Sequence, residues 1–153
     1  MPVQPRIRSV GVEQATVLWA ELRRKAPGYF ERCGLGHEAA FAVWAVSNSV
    51  YWCPLDHGGL FLTDWKPGLC VRIHPVVWGK KLATDREYAA QVLSAIHKTC
   101  RVGRVEVLVP LDAPAGLCRW CARAGLAYEG VMRKAVHYGD KITDGALYAH
   151  TED

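Results

Sequence analysis

Between Val12 and Lys25 the apolar residues Ala15, Leu18, Trp19 and Leu22 recur at intervals of three and four, a spacing that lines one face of a helix. Pro27-Gly28 ends it, and Gly34 closes a second short helix expected over residues 29–33. Residues 6–10 read as a short first strand. From Phe41 onward the pattern turns to apolar runs rich in β formers. Residues 41–47, 50–53 and 59–63 are expected strands with turn residues between them. Over residues 69–77, Leu69, Val71 and Ile73 fall on one face, and Cys70, Arg72 and His74 on the other. Pro75 lies inside this strand and has no N–H to donate, so pairing with one neighbour should fail there.

Thr84-Asp85-Arg86-Glu87 has the form of a capping box and opens a helix in which Tyr88, Val92, Ile96 and Cys100 repeat every fourth residue. Val105, Val107 and Val109 alternate in a strand over residues 104–109. Asp112 is placed to cap a short helix with Pro114 in its first turn, burying Leu117, Trp120, Cys121 and Ala124, and Gly125 ends it. Residues 127–136 and 143–150 form two closing strands, joined as a hairpin through Tyr138-Gly139-Asp140. A helix pair, an antiparallel meander, and then strand–helix–strand–helix–strand–strand describe an α/β fold with a mixed sheet. The 153 residues suit a single domain spanning 1–153.

Composition narrows the function more than the fold. The net charge of +4 comes from scattered Lys and Arg, without the basic stripe of a nucleic-acid binder. The densest basic cluster, Arg23-Arg24-Lys25, closes a helix, where its charge complements the helix dipole; His97 near the end of its helix is read the same way. The polar start MPVQPRIRSVGVEQ has no signal-peptide core, and no stretch reaches bilayer length, so the expected protein is neither secreted nor membrane-bound. Its six cysteines are then expected to be reduced. Cys118-x-x-Cys121 and Cys53-x-x-x-His57 could be combined as a metal set, but two cysteines one turn apart on a helix face pack as small apolar residues, and no metal is expected. Six tryptophans are many for this length. Trp44 and Trp52 belong to the β block, whereas Trp65 and Trp78 border loops and are candidates for a protein interface.

The last third carries a pattern with a family behind it. Cys118-Arg119-Trp120-Cys121-Ala122-Arg123-Ala124-Gly125-Leu126, then Tyr128-Glu129-Gly130 and Arg133, then Gly139, Asp144 and Leu147-Tyr148, resembles the signature of the GNAT acyltransferases. The order of elements agrees over nearly the whole chain. The resemblance implies a GNAT-like, mainly antiparallel central sheet with helices on both faces, and an acetyl-CoA site at the start of the helix after the fourth strand. Gln/Arg-x-x-Gly-x-Gly/Ala usually stands there in the family; this chain has Val77-Trp78-Gly79-Lys80-Lys81-Leu82-Ala83-Thr84-Asp85, with one glycine. Asp85 at the helix start would repel a diphosphate. Gly79, Lys80 and Lys81 are the residues left to bind the cofactor. The family's general-acid tyrosine corresponds to Cys121, and His74 is the candidate base on the fourth strand.

Val71-Arg72-Ile73-His74-Pro75, with the capped helix and the Glu-Gly ending, is also similar to a group of short GNAT-like tailed-phage proteins, some described as head-assembly proteins. That likeness implies a non-catalytic protein without a cofactor, working through contacts with other virion or assembly proteins or with further copies of itself, in the host cytoplasm or the particle. The alternative is a divergent N-acetyltransferase that moves an acetyl group from acetyl-CoA to an amine.

Overall fold

A computed structural model describes residues 3–152 of the chain; Met1, Pro2 and Asp153, which the single-domain reading includes, lie outside the described residues. The N-terminal elements are β1 (Arg8–Ser9), α1 (Val12–Lys25), α2 (Tyr29–Arg32) and α3 (Glu38–Ser47). Next come β2 (Tyr51–Leu55), β3 (Gly58–Lys66), β4 (Cys70–Val77), α4 (Lys80–Thr84) and α5 (Arg86–Cys100). The chain closes with β5 (Arg104–Pro110), α6 (Gly116–Ala124), β6 (Ala127–Tyr138) and β7 (Lys141–Thr151). The strands form one seven-stranded sheet in the order β1-β2-β3-β4-β5-β7-β6, antiparallel except where β4 meets β5. Among the described residues no helix is long and apolar enough to cross a membrane.

Alternation along β3 sets the layers. Leu60 and Leu62 point into a core shared with Val71 and Ile73 of β4, the valines of β5, and α5 and α6. Phe61 points the other way, into a second core with Leu18 and Leu22 of α1, Phe30 of α2, and Phe41 and Ala45 of α3. Helices therefore cover both faces, and each core draws on the sheet's opposite side. The second core is largely aromatic: Trp19, Phe30, Phe41, Trp44 and Phe61 form a chain of ring contacts 4.5–6.3 Å between centroids.

Three sequence expectations fail here. Residues 41–47 form helix α3, not a strand. A continuous apolar run does not reveal its period, and its Ala39, Ala40, Ala42 and Ala45 favour helix, with Phe41 and Ala45 buried four apart. The capping residue of α5 is Asp85, whose carboxylate accepts the Tyr88 N–H at 3.0 Å; Thr84 instead ends α4 and donates back to the Lys80 carbonyl. Asp112 makes no cap, since α6 starts from Ala115 without a side-chain partner. His97 does lie in the last turn of α5, but it is buried. Its Nδ1 lies 2.9 Å from the Val102 carbonyl, to which it donates, and its Nε2 lies 2.9 Å from His150 Nδ1.

α6 is tied to α4 at the helix end that lacks its own partners. The Trp120 indole N–H donates to the Leu82 carbonyl at 2.9 Å, and the Arg123 guanidinium donates to the Ala83 carbonyl. Trp120→Phe keeps the ring in the core but strands a buried carbonyl. It is expected to cost about 1–3 kcal/mol, visible as a lower urea midpoint at unchanged denaturant slope.

Candidate active site

β4 and β5 pair in parallel only over Cys70↔Arg104, Val71↔Val105 and Arg72↔Glu106. Beyond this, β4 stays paired to β3 through Val77, with Leu60 opposite Pro75, and β5 stays paired to β7 through Pro110. The proline therefore sits where pairing with β5 has ended and pairing with β3 continues. Between the separated strands lies a cavity of about 780 Å³, lined by Ile73, His74, Pro75 and Val77 on one side and Val107, Leu108 and Pro110 on the other. Its closed end is ionic. Arg72 Nε and Nη2 donate to Glu106 Oε1 at 3.0 and 2.6 Å, and Arg104 Nε donates to Glu106 Oε2 at 3.1 Å. Arg104 also grips both oxygens of Glu129, at 3.0 and 2.6 Å, which holds that carboxyl below the usual carboxylate range.

The cavity is walled from both faces of the sheet. On the α1–α3 side, Tyr29, Arg32 and Cys33 at α2 meet His137 and Tyr138 at the end of β6. Gly139 N–H donates to the Arg32 carbonyl at 2.6 Å, and a Cβ on Gly34 (φ +72°) would come within 2.8 Å of the Gly139 oxygen. Burial raises both the Tyr29 hydroxyl and the Cys33 thiol, so both keep their protons at neutral pH. On the other side, α6 contributes Leu117, Arg119, Trp120 and Arg123, and α4 contributes Ala83 and Thr84.

The residues expected from sequence are dispersed by this geometry. His74 lines the cavity, its Nε2 2.7 Å from Thr63 Oγ1 and its ring edge-on to Trp44. Burial, helped by the Arg72 charge and opposed by Asp64, lowers its pKa to about 4. Cys121 does not reach the cavity. It is fully buried in the core of α5 and α6, and its thiol is pushed up to about 12, so the acid role expected for it has no path to a ligand there. Gly79 is also unavailable, because its N–H and that of Trp78 both donate to the His57 carbonyl, at 3.1 and 3.0 Å. Glycine is needed at 79 because a Cβ would lie 2.2 Å from the His57 ring. Lys80 is exposed outside the cavity, and Lys81 turns away to Asp56 (3.4 Å) and the Tyr88 ring. The expected repulsion from Asp85 disappears, since the helix after β4 begins at Lys80 and Asp85 caps the next one. Trp65 and Trp78 are half-buried: the Trp65 indole donates to the Cys100 carbonyl at 3.0 Å, and Trp78 packs on the second core beneath the Lys25 ammonium.

Sequence reasoning missed Thr63, Asp64, Arg119 and Arg123. The two arginines form an i, i+4 pair on α6 and were legible as a basic stripe beside the buried face of Trp120, Cys121 and Ala124. Thr63 and Asp64 carried no such signal, because only strand pairing brings β3 to His74.

No family model matches the sequence, and no curated protein matches it. Solved structures do share its fold. RimL, the ribosomal L7/L12 alpha-N-protein acetyltransferase, in complex with coenzyme A, aligns over 99% of this chain and 96% of its own at TM-score 0.67 and 13% identity. The GNAT-family acetyltransferase from Bacillus anthracis aligns over 99% and 96% at TM-score 0.64 and 13% identity. The microcin C7 self-immunity acetyltransferase MccE, in complex with acetyl-CoA and AMP, aligns over 95% and 92% at TM-score 0.65 and 11% identity. The fold is that of the GNAT acetyltransferases. These likenesses correct the expectation of a non-catalytic virion component without a cofactor: the neighbours are acetyltransferases, two of them bound to CoA or acetyl-CoA.

His74 and His150 are both held neutral by burial, His150 also by its His97 neighbour. The unfolded chain takes up protons near 6.5 and the folded chain does so lower, near 4 for His74. Stability is therefore full above 6.5 and falls as pH drops from there toward 4. Melting temperatures across that window should decline, and His74→Gln should flatten the decline.

Proposed function

We propose that this chain is an acetyl-CoA-dependent N-acyltransferase and that the cleft between β4 and β5 is its cofactor site. The parting of the two strands after three paired positions carries this reading. Beyond those three positions each strand stays paired on its outer edge and leaves its inner backbone groups facing a cavity of about 780 Å³. Backbone groups deprived of a ladder need other partners, and the amides of a CoA arm are of that kind. Arg119 and Arg123 supply the charge at the α6 wall; the guanidinium fork suits phosphate oxygens better than the lysines first expected there.

Bound acetyl-CoA supplies an acyl group activated as a thioester. The chain's own residues do the rest. Ile73, Val107, Leu108 and Leu117 keep the reacting end dry. His74 stays uncharged at neutral pH and is oriented by Thr63, so its imidazole is ready to take part in proton transfer from an incoming amine. With its thiol sealed in the core, Cys121 is not placed to protonate the leaving group.

A thermal-shift titration tests the reading. Acetyl-CoA at about a hundred times a micromolar Kd should stabilise the fold by about 2.7 kcal/mol. Arg119→Glu should abolish most of the shift while Lys81→Ala preserves it. Absence of any shift at millimolar acetyl-CoA would rule the function out.

A further inference from the structure

Asp64 stands where β3 breaks register: pairing with β4 shifts between Thr63 and Lys66, and Asp64 takes φ +51°. Aspartate tolerates this left-handed region better than most residues, and a bulge beside a cleft re-aims the side chain it carries. Here the carboxylate is turned into the cavity lining next to His74, with 66% of the side chain exposed. Its nearest cation, Arg72, lies 4.0 Å away and is already engaged by Glu106 at 2.6 Å. Arg72 and Glu106 cancel, so Asp64 keeps a negative charge that nothing in the pair balances. Arg32 and His137 are the other basic groups of this end, both on the solvent side. The rings of Tyr29 and Trp44 line the same cavity, Trp44 edge-on to the His74 ring. A carboxylate open to a cleft walled by aromatic rings is suited to an ammonium group.

We propose that Asp64 positions the acceptor of the reaction, binding it as a primary alkylammonium beside His74; this rests on the acyltransferase reading above. Alkylamines, with pKa near ~10.4 as in lysine, arrive charged, whereas arylamines and alcohols arrive neutral and gain nothing from Asp64. The docked ammonium releases one proton through the neutral His74 to solvent. Its freed lone pair forms the C–N bond with the thioester carbon. The C–S bond breaks with its electron pair on sulfur, and the second nitrogen proton ends on that sulfur as the thiol.

Steady-state CoA release, with acetyl-CoA saturating, is measured against tripeptides with free N-termini, spermidine and benzylamine, and against aniline as the neutral amine. Asp64→Asn should raise KM for the alkylamines about tenfold or more, the scale of one lost charge-assisted contact, with kcat within about twofold. Asp64→Glu should recover part of the loss, and turnover of aniline, where measurable, should not change. The acetyl-CoA thermal shift should be equal in wild type and Asp64→Asn. Unchanged alkylamine KM in Asp64→Asn, a fall in kcat alone, preference for aniline, or no alkylamine acetylated while acetyl-CoA still shifts the melting temperature, each overturns the role of Asp64. Loss of the acetyl-CoA shift in the wild-type protein overturns the acyltransferase reading instead.

Discussion

The three-pair parallel ladder between β4 and β5 is the constraint on which the rest of the molecule depends. Along it Arg72, Glu106 and Arg104 form a continuous chain of charge that Arg104 extends to Glu129 near the start of β6. With Glu106 only 15% exposed in its side chain, removal of either arginine would leave one oxygen of a poorly solvated carboxylate without its cationic partner. Past Arg72 the strands separate, and Pro75 has no N–H with which to bridge them. Were the ladder to close fully, the sheet would be continuous and the two cores would be sealed from each other. Because it opens, a cavity reaches from α6 on one face to α2 and the β6–β7 hairpin on the other.

The segment after β4 shows how one local need displaces another. In the pattern that this chain resembles, a glycine-rich turn offers its amides to a diphosphate. Here two of those amides bind the His57 carbonyl of the β2–β3 turn, Gly79 makes room for the His57 ring, and Asp85 caps α5. The short helix α4 between them is held at its far end by Trp120 and Arg123. The turn has become part of the scaffold. Positive charge for a ligand is found instead on α6, where Arg119 and Arg123 face the cavity and the buried side of the same helix fixes their position.

Much of the fold was legible in the sequence because local rules and tertiary packing agreed there. The period of α1 and α5, the alternation of β5, the αL glycine at 125 and the closing hairpin around Gly139 all follow from patterns of a few residues. Residues 41–47 were not legible, since a run apolar on all sides fits a strand or a buried helix equally, and only the aromatic core formed with α1 and Phe61 selects the helix. The site was less legible still. His74 was identifiable from strand parity, and the arginines of α6 from their spacing. Cys121 matched a motif position, yet the helix turns it into the core; Lys81 matched a charge requirement, yet Asp56 draws it away. Asp64 and Thr63 owe their place to a bulge and a cross-strand register that no short pattern encodes. Outside residues 41–47, the sequence by itself determined which segments are helix or strand and which faces are apolar, because those depend on residues a few positions apart. The tertiary structure decided which polar groups remain free to meet a ligand, because each such group is claimed or released by partners tens of residues away.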